Sequence, residues 1–481
     1  VTIATTALTT DRLLIGGEWT EPSGPGSIEV VDPATEQVIG SVPRGTAADV
    51  DRAVRAAAAA AEAWREVPMS DRAELVAAVG RALDARRGEL ERIIQSELGS
   101  TVVATRGVQV GAAIDKFLAM PAIAAALPPE MAIGSGIVLR EPIGVVAAIT
   151  PWNYPLLQTA DKVAAALTAG CTVVLKPSEV TPLNAFVLAE AVVAAGLPAG
   201  VFNLVTGYGV EAGEPLVSHP LVDMVSFTGS TRAGRRISEL ASATVKATAM
   251  ELGGKSPNLL LDDLDAMQMA KAVTLGVASC FPNAGQTCSA LTRMIVPRSR
   301  LVEVERTVVE AVSTHTVGDP HDPAVRIGPL VSAAQRDRVL GYIAAGVEEG
   351  ARLVVGGADA PAGVSAGYYV TPTVFSDVTP TMTIAQEEIF GPVLAIIPVD
   401  SEEEAIAVAN GTEYGLAGGV WSGDTATALR VARRIRSGIV SVNGGDEPDG
   451  APFGGFKQSG HGREAGLFGL EEFLTTKTLC L

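Results

Sequence analysis

The 481-residue chain is 47% hydrophobic and 19% charged, with 54 acidic against 36 basic side chains and a formal net charge of -18, a composition that belongs to a folded globular protein rather than a disordered one. At about 100 to 200 residues per domain this length makes about two to four domains. The acidic balance, with no basic run beyond Arg433-Arg434 and Arg436, excludes a nucleic-acid partner, and no apolar stretch reaches the roughly 18 residues of a membrane span.

Val1–Thr10 has neither the basic head nor the apolar block of a secretory leader. Four cysteines, Cys171, Cys280, Cys288 and Cys480, are too few for a disulfide framework and fit a reducing, cytoplasmic setting. Residues 12–47 read as short strands and turns, punctuated by Gly16-Gly17 and Pro22-Ser-Gly-Pro-Gly26. Helix takes over at Ala48, with Val50, Val54 and Trp64 on its apolar stripe. A second helix is expected from Ser70, its N-cap, ahead of Leu75, Val76 and Val79. The two helices are expected to cover a sheet.

From Gly144 the pattern alternates. Residues 145–150, 172–175 and 201–205 read as strands, with helices over 155–169 and 183–195 between them. A strand over 222–227 and a helix over 232–240 continue the series, so a parallel, doubly wound sheet follows. A second α/β unit begins after Glu251-Leu-Gly-Gly254, with strands over 258–261, 294–296 and 393–399 and helices over 266–277, 301–312 and 332–349. No fixed-period repeat is present.

Several motifs are missing. Gly229-Ser-Thr-Arg-Ala-Gly234 has the glycine spacing of a phosphate loop, but Arg235-Arg236 follows where Lys and Ser/Thr are needed. There is no Gly-x-Ser-x-Gly elbow, and the four histidines (His219, His315, His321, His461) are too scattered for a zinc site. His315 and His321 read as solvated loop residues. Gly207-Tyr-Gly209-Val-Glu-Ala212 matches a dinucleotide fingerprint and equally a plain strand-to-helix turn. The turn Thr228-Gly229-Ser230-Thr231 before a helix points N–H groups at a phosphate.

Cys288 stands apart from the other cysteines, which read as buried small hydrophobes. It lies in a small-residue loop, Pro282-Asn-Ala-Gly-Gln-Thr-Cys288-Ser-Ala290, that leaves the thiol open. It becomes a nucleophile only when ionised. Glu251, at a strand exit before Gly253-Gly254, reads either as a general base or as a carboxylate capping the next turn.

Pro151-Trp-Asn-Tyr-Pro155, Lys176-Pro-Ser-Glu179, Phe227-Thr-Gly-Ser-Thr231, Glu251-Leu-Gly-Gly-Lys-Ser-Pro257, Gly285-Gln-Thr-Cys288, Glu387-Glu-Ile-Phe-Gly-Pro392 and Pro452-Phe-Gly-Gly-Phe-Lys457 occur in that order along nearly the whole chain. Together they resemble the NAD(P)-dependent aldehyde dehydrogenase superfamily. The resemblance implies an α/β fold with a Rossmann-like NAD-binding domain over 1–119 and 143–253 and a second α/β catalytic domain over 254–459. A small β oligomerisation element would take 120–142 and 460–481, built from a hairpin around Met120–Glu141 and a strand near Thr475–Leu481, giving a homodimer or homotetramer.

The resemblance also implies roles. The Cys288 thiolate attacks the aldehyde carbon, and the Asn153 amide and the Cys288 N–H hold the oxyanion. Glu251 activates the water that hydrolyses the thioester. Lys176 and Glu179 hold the adenosine ribose, which favours NAD while leaving NADP possible. Ser230 and Trp152 meet the pyrophosphate, and Glu388 and Phe390 the nicotinamide end. Thr150, Pro151, Ser178, Gly209, Phe227, Gly229 and Leu252 complete the cofactor set, and no metal is implied. Lys255 and Glu464 read as structural ion-pair members, the second near the active site, and Asn443 as a residue that orders the substrate loop.

Three rival readings remain open here. A thioacylating dehydrogenase would use coenzyme A in place of water but has no need of Glu251. A thiol hydrolase has no need of Glu179 or Phe390. A non-catalytic structural protein has no need of Cys288, Asn153 and Glu251 together. The loop Gly444-Gly-Asp-Glu-Pro-Asp449 is acidic; its acids read either as solvated loop residues or as a charge, from Asp446, Glu447 or Asp449, that repels acidic aldehydes at the tunnel mouth.

Overall fold

A computed structural model of the chain describes residues 8–481. Most of the Val1–Thr10 stretch read above for a leader, residues 1–7, lies outside the described residues. Two large sheets dominate. The first has eight strands, in the spatial order Gly460–His461, Ala247–Glu251, Met224–Thr228, Val145–Ile149, Thr172–Lys176, Phe202–Leu204, Leu13–Ile15, Glu18–Thr20. The five inner strands are mutually parallel, and the two ends are closed by antiparallel neighbours. Val145–Ile149 and Thr172–Lys176 are buried along their whole length, as parallel strands covered on both faces require.

Chain order along those five strands runs outward from Val145–Ile149 in both directions. The chain first moves to Thr172–Lys176 and Phe202–Leu204, then returns to Met224–Thr228 and Ala247–Glu251 on the other side. The direction reverses between Val145–Ile149 and Met224–Thr228. Such a switch point leaves a crevice outside the carboxyl ends of the two strands, where doubly wound sheets bind ligands. The residues that emerge there are Thr150-Pro-Trp-Asn153 and Gly229-Ser230.

The second sheet has seven strands, ordered Arg352–Val355, Thr373–Ser376, Val393–Val399, Arg293–Pro297, Pro257–Leu260, Ala417–Trp421, Ile439–Val442, and only its first pair is antiparallel. The chain passes from Glu251 in the first sheet to Pro257 in the second through a five-residue connection. That short crossing sets the carboxyl end of one sheet beside the amino end of the other, and Cys288, just before Arg293–Pro297, lies at the seam.

The sequence-expected helix Pro155–Ala169 forms as read, and Ser332 caps the helix Ala333–Glu348 through Gln335 N. The second helix differs from expectation. It runs Met69–Asp84 with Pro68 at the cap, and Ser70 lies inside it with its hydroxyl on Asp71. Proline fixes the entry and has no N–H to leave unsatisfied. The expected hairpin is also shorter, because Met120–Ala125 is helical with Pro121 in its first turn, where proline is favoured. The strands are Glu130–Ile133 and Gly136–Pro142, and the second pairs along its length with Leu474–Cys480. The stretch from Gly460 to His461 instead edges the first sheet.

The loop that follows Lys176 is pinned from below. Glu97, fully buried near the end of the helix Arg87–Leu98, accepts from Leu183 N (2.7 Å), Asn184 N (3.2 Å) and Asn184 Nδ2 (2.6 Å), capping the helix Leu183–Ala194. Removing a buried acceptor strands its donors at a cost of about 1–3 kcal/mol. Glu97→Ala is therefore expected to lower the urea midpoint of unfolding clearly, while Glu97→Gln retains most of it; an unchanged midpoint in Glu97→Ala would show that this cap carries no stability.

Candidate active site

Cys288 follows a tight turn, Pro282–Gly285, in which Asn283, Ala284 and Gly285 all have positive φ (52°, 57° and 76°). Gly285 is obligatory there, since a Cβ would run into the Gly391 carbonyl of the neighbouring loop. The turn aims the thiol into the seam, where it borders two clefts. One holds Trp152, Ser230, Glu251 and Phe390, and the other Leu157, Asp161, Glu447 and Phe453.

The Asn153 amide is oriented by a network that closes around the same turn. Asn153 Nδ2 donates to Gln286 O at 3.0 Å, which leaves its second N–H free for a ligand. The Asn153 carbonyl is clamped by Gln109 Nε2 and Asn283 Nδ2, both at 2.9 Å. Gln286 is fixed in turn, its Oε1 accepting from Val331 N at 2.9 Å and its Nε2 donating to Asn283 O at 3.0 Å. Among the described residues the Cys288 N–H has no intramolecular acceptor. Two N–H donors beside one thiol are the components of an oxyanion hole.

Glu251 ends its strand 3% exposed, and neither carboxyl oxygen has a hydrogen-bond partner among the described residues. The capping alternative therefore does not hold, since a cap must accept from backbone. Gly454 lies against it, where a Cβ would fall 2.9 Å from Glu251 Oε1, and Arg463 Nη1 lies at the same glycine. Burial and the nearby Glu464 raise the Glu251 carboxyl well above the ordinary range, against the pull of Lys162 and Arg463. Glu464 forms a buried ion pair with Lys162. Lys255, expected in an ion pair, makes none among the described residues; it is fully enclosed, and burial followed by Arg293 pushes its amine down to about 7.

The Cys288 thiol is pushed up to about 12 by desolvation, then by Glu388 and Glu251, against a hydrogen bond from the Ser289 amide. Burial thus biases both the Glu251 carboxyl and the Cys288 thiol toward their protonated forms.

The other expected residues line or flank the first cleft. Pro151, Trp152, Gly229, Ser230, Leu252, Glu388 and Phe390 border it directly. Ser230 caps the helix Thr231–Ser242, accepting from Ala233 N at 3.3 Å, so the N-terminal end of that helix faces the crevice. Thr150 and Phe227 are buried beneath it, and the orphaned Thr228 hydroxyl points to the same side. Trp152 and Phe390 meet edge to face at 5.3 Å, and Glu388 accepts from Gly254 N at 2.9 Å. Lys176 Nζ lies 2.9 Å from Pro177 O and 3.5 Å from Glu179 Oε2, and Ser178 is buried with its hydroxyl on Val180 N. Gly209 is exposed at the start of a π-helical turn, Gly209–Gly213, whose last residue packs on the Lys176 side chain. A switch-point crevice, a helix N-terminus, a carboxylate beside a buried ammonium and an unspent hydroxyl form a donor set that fits a dinucleotide.

Residues 19–479 match the family described as the aldehyde dehydrogenase family. The chain belongs to the aldehyde dehydrogenase family. It is 47% identical, over 97% of both chains, to 3-succinoylsemialdehyde-pyridine dehydrogenase of a Pseudomonas species. Among solved structures it is similar to a Cys-to-Ala mutant of aldehyde dehydrogenase C from Pseudomonas syringae complexed with NAD+ and octanal, with a TM-score of 0.96, 47% identity and coverage of 99% and 97% of the two chains. An aldehyde dehydrogenase from Mycobacterium tuberculosis complexed with NAD+ has a TM-score of 0.96, 45% identity and coverage of 99% of both chains.

Several residues of this aldehyde dehydrogenase site gave no signal in the sequence. Gln109 sits in a π-helical stretch, Thr105–Ala112, whose irregular turn no periodicity reveals. Gln335 and Arg338 reach from the helix Ala333–Glu348 to the backbone of the opposite loop, at Phe390 O (2.8 Å) and Glu388 O (2.7 Å), where Phe390 itself has a positive φ of 62°. His315, expected to be solvated, is half-buried with its ring edge on Phe281 at 5.5 Å, while His321 is exposed. No cluster of metal-ligating side chains occurs among the described residues.

Below its pKa the thiolate fraction rises tenfold per pH unit. With the Cys288 thiol pushed up to about 12, alkylation by iodoacetamide in a Cys480→Ser background, without cofactor, is expected to accelerate about 100-fold from pH 7 to pH 9. A rate that levels off near neutral pH would contradict the desolvated thiol.

Proposed function

We propose that this aldehyde dehydrogenase oxidises an aldehyde to the carboxylic acid with NAD+, through a thiohemiacetal and a thioester on Cys288 that water resolves. The observation that carries the reading is the half-buried Cys288 thiol at the junction of two clefts, with the Asn153 amide and the unpaired Glu251 carboxyl beside it. In this reading the first sheet, with Gly460–His461 at its edge, carries the cofactor half and the second the catalytic half. The three-stranded sheet of Glu130–Ile133, Gly136–Pro142 and Leu474–Cys480 is the proposed contact between copies in a homodimer or homotetramer, because its outer strand is exposed along an open edge. No helix of the described residues is long and apolar enough to cross a membrane, and the cysteines are unpaired; we assign the enzyme to the cytoplasm.

Each residue then has a chemical task. The Cys288 proton passes to solvent water, and the thiolate adds to the aldehyde carbon and pushes the carbonyl electrons onto oxygen. Asn153 Nδ2–H and the Cys288 N–H hold that oxyanion. As it collapses, the carbon gives up hydride, which NAD+ accepts when bound, and a thioester remains. Glu251 takes a proton from water, the hydroxide adds to the thioester, and the C–S bond breaks to release the acid and the Cys288 thiolate. Lys176, Ser178 and Glu179 would hold the adenosine ribose, Thr150, Pro151, Trp152, Gly209, Phe227, Gly229, Ser230 and Leu252 the walls and pyrophosphate, and Glu388 and Phe390 the nicotinamide end. The unpaired Glu251 favours water over coenzyme A as the acyl acceptor.

The test is formation of reduced nicotinamide over an aldehyde panel with NAD+ and NADP+, with and without coenzyme A. Turnover with NAD+ that needs no coenzyme A and vanishes in Cys288→Ala is the expected result, and none with any aldehyde from protein that still binds NAD+ would refute it. Losing one oxyanion donor costs about 10²- to 10³-fold in kcat, which is the loss expected for Asn153→Ala. Glu251→Gln is expected to retain a single-turnover burst and lose steady-state turnover; loss of the burst would instead place Glu251 at thiol activation.

Because the Cys288 thiol is held protonated and reacts as the thiolate, kcat/KM is expected to climb from pH 6 to pH 9, and a flat profile would overturn that role. Glu179→Ser, which removes a carboxylate facing a 2′-phosphate, is expected to raise NADP+ use relative to NAD+ about tenfold, by the strength of a close Coulomb term. No change in that ratio would remove Glu179 from cofactor choice.

A further inference from the structure

The second cleft at Cys288, the one facing away from the cofactor side, carries an uneven charge. Three carboxylates, Asp161, Glu447 and Asp449, line it against one ammonium, Lys116, and its remaining wall includes the apolar Leu157 and Phe453. From the acidic loop, Asp446, Glu447 or Asp449 was expected to face the substrate. The structure divides them: Glu447 and Asp449 border this cleft, whereas Asp446 lines a neighbouring groove. The missing third charge comes from Asp161, on the inner face of the helix Pro155–Ala169 and adjacent in sequence to Lys162.

Asp161 is placed firmly. Its side chain is 8% exposed and lies 2.9 Å from Lys116 Nζ, on the helix Ala113–Leu118. The two form a close ion pair, so Asp161 Oδ1 is engaged by the cation. Burial works against the Lys116 ammonium, but Asp161, Glu464 and Glu447 together outweigh it and hold its pKa raised. Lys116 thus cancels about one of the three negative charges. A separate observation points the same way: Gln158 is 9% exposed, borders both clefts, and its Oε1 has no partner among the described residues. The charged part of the wall is therefore net acidic, with the Gln158 oxygen as a further open acceptor. Such a surface attracts cations and repels anions.

We propose that this cleft sorts aldehydes by the charge on their tails, favouring a cationic or uncharged end and turning away a carboxylate, with Asp161 and Glu447 as the residues that set the order. The proposal rests on the aldehyde-oxidising reading above and adds the class of substrate. Neither residue touches the reacting carbon, so the effect falls on discrimination between tails rather than on the chemical step.

The experiment compares kcat/KM for hexanal, its ω-trimethylammonium derivative and its ω-carboxylate at pH 8. The expected order is cation, then hexanal, then carboxylate. A charge pair at the distances of a substrate cleft changes such ratios by about tenfold. Asp161→Asn and Glu447→Gln are each therefore expected to cut the cation-to-carboxylate ratio about tenfold, while hexanal stays within about threefold of its original value. Lys116→Met is expected to widen the ratio. Glu447 sits on a surface loop, so Glu447→Gln reads the effect even if Asp161→Asn folds poorly. An unchanged ratio in both acid variants with hexanal turnover intact, or a wild-type preference for the carboxylate, would overturn the proposal. Failure of the wild-type enzyme to oxidise hexanal or either derivative would instead count against the aldehyde-oxidising reading itself.

Discussion

The five residues between Glu251 and Pro257 are the constraint on which the site depends. They carry the chain from the edge of one parallel sheet into the middle of another, and so short a connection leaves little freedom in how the sheets meet. Glu388 uses that closeness, its carboxylate lying against Gly253 and accepting from Gly254 N. The Cys288 carbonyl packs against Gly254 as well. A side chain at Gly254 would run into the Cys288 carbonyl and displace the backbone that carries the thiol, whereas one at Gly253 would displace the Glu388 carboxylate.

Around that seam, charge is handled in two ways. Glu464 and Lys162 neutralise each other in the interior, a pairing that offsets the desolvation cost of both. Glu251 is left without a partner a short distance away. A buried polar group with unmet hydrogen bonds is costly to keep, and costs of that kind concentrate at sites that do chemistry. The same contrast recurs in the second cleft, where Lys116 answers Asp161 while Glu447 and Asp449 have no cation of their own on its wall.

Rigidity comes from backbone carbonyls gripped by side-chain amides. Gln109, Asn283 and Gln286 hold Asn153, and Gln335 with Arg338 holds the loop carrying Glu388 and Phe390. These clamps link three elements distant in the chain: a π-helical stretch, the turn before Cys288 and the helix Ala333–Glu348. Preorganised donors of this sort avoid reorganisation when charge develops on a ligand.

The parallel alternation from Gly144 was legible in the sequence, because buried parallel strands read as unbroken apolar runs and the intervening helices carry their own period. Glycines beside reactive residues, as in Glu251-Leu-Gly-Gly254 and Gly285-Gln-Thr-Cys288, were equally legible, since close backbone approach and positive φ exclude other side chains. What local pattern could not show is anything decided by approach across the chain. That Glu251 is unpaired rather than a cap, that Gln109 reaches Asn153, that Lys255 lacks an ion partner and that Asp161 rather than Asp446 faces the second cleft all depend on which atoms the packed sheets bring together. The starting point of the second helix shifted for a related reason: Ser70 has the chemistry of a cap, but Pro68 ahead of it fixes the chain's entry. The sequence by itself determined the order of most elements and the candidates for the reactive groups, because periodicity and side-chain chemistry are local. Only the tertiary structure decided their partners and protonation, because burial and Coulomb terms are set by neighbours far away in the chain.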